Sequence, residues 1–228
     1  MSTSIVRAKP LAVLIALVAW FALLLQLYLS LRLTYSMGTS TAEGVAIYFG
    51  YFTVLTNLLV AAAATGPVVA PLSGWGRFFA RPTAIGWVAA SIAFVGVAYF
   101  VLLRHVWNPT GLQLLADVLM HYVVPVLVLV YSLIAIRGRA LSWNAPLWWS
   151  LYPVLYFVYV LVRGALMGRY PYAFIDVSQL GYAITLRNAV ALWVAFLIVA
   201  YVLMVIWRHP LGHPFPGKGA NRLPLSRK

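Results

Sequence analysis

Six stretches of about 20 residues, almost free of charge, dominate this chain: 11–31, 45–65, 83–103, 114–135, 147–167 and 187–207. Each matches the hydrocarbon thickness that one α-helix crosses at about 1.5 Å per residue. Strands that cross a bilayer need only about 9–11 residues and alternate apolar with polar, so continuous runs of this length point to helices. In lipid every backbone polar group must find its partner inside the structure, which a helix achieves within its own segment. The expected fold class is therefore all-α: a polytopic bundle of six transmembrane helices, one domain over residues 1–207.

Composition removes the alternatives. Of the 228 residues, 64% are hydrophobic and 8% are charged, whereas soluble domains carry about a quarter of their residues as charges. That excludes a soluble enzyme and a disordered regulator. The first run has basic residues before it, as a signal peptide would, but it is longer than a signal core and no small-x-small site closes it. It is read as a retained helix. Cysteine is absent, which excludes disulfides, thiolate nucleophiles and thiolate-ligated metals. His209 and His213 lie in a Pro-broken tail, a poor frame for metal ligands. No metal and no cofactor are expected.

The net charge of +13 would suit a nucleic-acid partner only if it were concentrated on one face. Here the basic residues stand in pairs between the apolar runs, so no nucleic acid is expected and the excess is read as topology. With the N-terminus inside, the inner segments hold 11 basic residues (Arg7, Lys9, Arg77, Arg81, Arg137, Arg139, Arg208, Lys218, Arg222, Arg227 and Lys228). The outer segments hold five, Arg32, Arg104, Arg163, Arg169 and Arg187, together with all three acids, Glu43, Asp117 and Asp176. Basic residues in short loops mark the cytoplasmic side, so both termini are expected there. The Pro/Gly-rich basic tail, 208–228, is expected to lie near anionic headgroups without a fold of its own.

Function is sought among residues that are costly to place in a membrane. His121, Asp117 and Arg163 are such residues, with Thr53, Thr56 and Asn57 as softer polar candidates. In this topology Thr53 lies about 12 Å below the outer end of helix two, and His121 about 10 Å below that of helix four. Arg163 falls about one turn from the outer end of helix five. These groups share one slab of the outer half. Asp117 and His121, four apart, share a helix face, as do Thr53 and Asn57. Pro125 cannot donate to the His121 carbonyl and should kink helix four. Against this stand plainer roles: a threonine bonded to its own backbone, an Asn joining helices, an Arg reaching to headgroups.

The runs YFTVLTNLLV (51–60), MHYVVPV (120–126) and YPVLYFVYVLVRGALMGRYPYAF (152–174) resemble the androgen-induced-gene-like family of six-helix membrane proteins. The resemblance spans roughly residues 10–207. It is to the bacterial branch, which implies a bacterial cytoplasmic membrane. Animal members hydrolyse fatty acid esters of hydroxy fatty acids with a threonine on helix two and a histidine on helix four. The resemblance thus implies an intramembrane lipid-ester hydrolase in which Thr53 is the nucleophile, with Thr56 in reserve, and His121 its base. An imidazole suits the task, because a threonine hydroxyl is a weak nucleophile without an adjacent base. Asp117 would orient the imidazole, and Asn57, Tyr122 or Arg163 would stabilise the oxyanion. The expected partners are membrane lipids or a lipid-ester substrate. The competing reading is a lipid or apolar-ligand carrier in which the same cluster only binds a headgroup.

Overall fold

The computed structural model describes residues 8–138 and 141–209. Most of the tail expected at 208–228 lies outside the described residues. The fold is all-α, with six helices long and apolar enough to cross a membrane. In chain order the elements are α1 (Lys9–Ser36), α2 (Thr41–Gly50), α3 (Phe52–Val69), α4 (Gly74–Phe79) and α5 (Pro82–Ala98). α5 runs into a π-helical turn, Tyr99–Leu103. Next come α6 (Gly111–Val118), a second π-helical turn (Leu119–Val123) and α7 (Val124–Ile136). The last described elements are α8 (Ala145–Trp149), α9 (Leu151–Met167), a 3₁₀ turn (Ala173–Ile175) and α10 (Val177–Arg208).

α3 and α5 are the most enclosed spans. Small residues on α5 let its neighbours close in: the Trp149 ring packs against Gly86, where a Cβ would come within 2.8 Å of it. Large apolar side chains face outward, from Leu17 and Leu24 on α1 to Leu155 on α9 and Val190 on α10. In water such surfaces would drive aggregation, whereas in lipid they are the solvated face.

Two expectations are corrected. The second run, 45–65, is not one helix, because the backbone turns extended at Tyr51 (φ −85°, ψ 130°) and separates α2 from α3. A helix end at membrane depth needs partners for its open carbonyls. They come from one face of α9, through residues spaced i, i+3 and i+7. The Tyr156 hydroxyl donates to Gly50 O at 2.9 Å and that of Tyr159 to Phe49 O at 3.2 Å. The Arg163 guanidinium adds two bonds to Ala46 O, a carbonyl one turn back inside α2, at 3.2 and 2.9 Å.

Pro125 stands inside the fourth span, Gly111–Ile136, directly after its π turn. The Val124 N–H bonds to Leu119 O and Pro125 has no N–H, so the Met120 and His121 carbonyls both lack an α-helical donor. Asn57 Nδ2 reaches Met120 O at 3.4 Å. Gly96 lies against His121 O, where a Cβ would come to 3.3 Å. The last correction is the sixth span, which starts at Val177 with a break at Gly181 (φ 71°), not at 187. Asp176 caps its N-terminus through Ser178 N, 2.9 Å away.

Candidate active site

The break at Tyr51 puts Thr53 in the first turn of a helix instead of mid-span. Its hydroxyl lies 3.2 Å from Nε2 of His121, and the two residues are 68 positions apart in sequence. The other ring nitrogen, Nδ1, lies 3.2 Å from the Asp117 carboxylate Oδ1 and 3.1 Å from the Asp117 carbonyl. With Nδ1–H directed at these acceptors, the Nε2 lone pair faces the Thr53 hydroxyl. A hydroxyl, an imidazole and a carboxylate thus form an unbroken chain, with Asp117 only 5% exposed.

Tyr99 completes the arrangement from the π turn of the third span. Its hydroxyl donates to Asp117 Oδ2 at 2.6 Å, so both carboxylate oxygens are engaged. Its ring stacks on that of His121, with centroids 3.9 Å apart and planes 18° from parallel. Both π-helical turns therefore meet at the imidazole, a placement common for π turns at functional sites. Asn57 fixes the other partner: its Nδ2 donates to Thr53 O at 2.9 Å and, across the interface, to Met120 O.

The remaining candidates are placed elsewhere. Thr56 is fully buried, and its hydroxyl shares a hydrogen bond with that of Tyr152 at 3.1 Å. Arg163 is held by the carbonyls of Ala46 and Arg169 and packs flat on Gly50. It is a buried cap on the negative end of α2, with no carboxylate partner among the described ion pairs. Tyr122 meets Tyr99 edge-on and is 39% exposed.

A cavity of about 450 Å³ opens on Thr53, within the size range of small-molecule sites. Its walls come from α3, α5, α9, α10 and the 168–176 connection, mostly as Phe, Val, Leu and Trp side chains. Thr53, Tyr99, Tyr156 and Tyr172 bring the hydroxyls. Sequence reasoning missed Tyr99 and Tyr172, which are two among 14 tyrosines. Both stand where a helical pattern ends, in a π turn and a connection, so periodicity does not mark them. Among the described residues no group of three or more His, Asp or Glu side chains is placed to hold a metal.

Fold and site together define a six-span α-helical membrane protein carrying a half-buried Thr–His–Asp constellation beside an apolar cavity. No family model, curated protein or solved structure matches the chain.

Proposed function

We propose that the protein is an intramembrane hydrolase of lipid esters. The observation that carries this reading is the 3.2 Å approach of the Thr53 hydroxyl to His121 Nε2 at the wall of the apolar cavity. The acyl chain lies in the cavity with its ester carbonyl at Thr53. His121 Nε2 removes the hydroxyl proton as Oγ1 bonds to the carbonyl carbon, and Asp117 stabilises the imidazolium. Collapse of the tetrahedral intermediate expels the alcohol, which takes the proton from His121 and leaves an acyl-threonine. Water, deprotonated by His121, then attacks that ester and releases the acid and free Thr53.

The substrate class is fatty acid esters of hydroxy fatty acids or similar acyl esters. This follows from the likeness of 51–60, 120–126 and 152–174 to the androgen-induced-gene-like family, and the apolar walls accord with it. The basic-residue asymmetry orients the molecule with both termini cytoplasmic and the site in the outer half of the membrane. A substrate then enters sideways from the leaflet.

Hydrolysis of a long-chain p-nitrophenyl ester by purified protein in detergent tests the reading. Thr53→Val and His121→Ala should each lower kcat by at least about 10³-fold, and the double variant should lose no more, because the pair acts as one unit. Thr56→Val should retain most of the activity. Undiminished turnover in Thr53→Val would end the assignment. The walls also suit a carrier of apolar ligands, which is the better reading if the wild type binds the ester and never cleaves it.

A further inference from the structure

The reaction proposed above needs a donor for the negative charge that forms on the ester carbonyl oxygen, and Asn57 and Arg163 are both committed elsewhere. Asn57 Nδ2 is held by Thr53 O and Met120 O, and Arg163 is held by Ala46 O and Arg169 O. Tyr172 is not so committed. It lines the cavity together with Phe52 and Thr53, from the connection between α9 and α10. That connection is firmly tied down. Arg169 pairs with Glu43 at 2.8 Å, and Asn188 Nδ2 donates to Phe174 O at 2.9 Å. The Tyr172 ring stacks on Phe174 (centroids 5.1 Å apart, 7° between planes) and meets Tyr51 edge-on at 5.7 Å. Tyr172 thus borders the same cavity as Phe52 and Thr53, which stand in the first turn of α3.

We infer that Tyr172 is a catalytic residue of this site, its hydroxyl donating a hydrogen bond to the oxyanion that forms on the ester carbonyl when Thr53 attacks. The inference rests on the hydrolase reading. As the Thr53 Oγ1–carbon bond forms and the hydroxyl proton passes to His121, the carbonyl π pair moves onto oxygen, where the Tyr172 O–H meets it. On collapse the pair returns, the bond to the alcohol oxygen breaks and the Tyr172 proton has stayed on its own oxygen. A donor fixed in advance stabilises charge that exists only in the transition state, so its loss reduces kcat and leaves KM. Burial pushes the Tyr172 pKa up to about 12. The hydroxyl therefore keeps its proton at any working pH.

The test compares wild type with Tyr172→Phe, which keeps the ring and its stacking. Expected for the variant are an unchanged thermal midpoint, a kcat lower by about 10²–10³-fold and a KM within about threefold. An alkyl trifluoromethyl ketone, which becomes an oxyanion when Thr53 adds to it, should bind more weakly by a similar factor. The matching alkyl ether, which forms none, should bind equally well. Unchanged kcat, or equal loss of affinity for ketone and ether, would overturn the inference while Thr53-dependent hydrolysis by the wild type keeps the hydrolase reading intact. A wild type that neither cleaves esters nor adds to the ketone would overturn both.

Discussion

At the scale of single residues, the imidazole of His121 is held on three sides, by Asp117, by the Tyr99 ring and by the Thr53 hydroxyl. Removing the Tyr99 hydroxyl leaves the buried Asp117 Oδ2 without its 2.6 Å partner. Tyr99→Phe should therefore cost about 1–3 kcal/mol of stability, measured in detergent, and lower kcat without raising KM. A variant of wild-type stability and activity would show that Asp117 is adequately held without it. Asp117 and His121 were legible because ionisable groups within apolar runs stand out, whereas Thr53 was preferred to Thr56 only through the resemblance of 51–60. Thr56 was equally polar on the page, and only the Tyr152 partner separates it. Tyr99 and Tyr172 carried no such contrast, since an aromatic residue in an apolar chain reads as packing or as an interfacial belt.

At the scale of elements, the site depends on three departures from regular helix: the break at Tyr51 and the two π turns, Tyr99–Leu103 and Leu119–Val123. Hydropathy averages over such features, so a window over 45–65 stays apolar across a helix end. What made the break possible was a partner 117 residues away, Arg163 on Ala46, and no local pattern records that. Arg163→Met keeps much of the apolar stem while removing the positive charge and the two guanidinium bonds to Ala46 O at the α2 end. It should lose about 1–3 kcal/mol of stability and most of the turnover, as the first turn of α3 moves with its support. Thermal denaturation in detergent and ester hydrolysis measure the two effects. Full turnover would mean that Tyr156 and Tyr159 suffice to hold the α2 end.

At the scale of the whole molecule, six helices among the described residues are long and apolar enough to cross a membrane. Length and apolarity made this much readable, with span boundaries shifted where a helix breaks. The proposed orientation rests on the charge asymmetry: a cysteine at Thr110 in this Cys-free chain should react with an impermeant maleimide added outside intact cells. Labelling only after the cytoplasmic face is opened would invert the topology and move the site to the inner leaflet. The central claim, that Thr53 becomes covalently bonded during turnover, is tested most directly by treating the protein with a long-chain alkyl fluorophosphonate and mapping the adduct by mass spectrometry. One adduct is expected, on Thr53, lost in Thr53→Val and in His121→Ala. An adduct on another residue that tracks the loss of hydrolysis, or hydrolysis that persists in Thr53→Val, would contradict it.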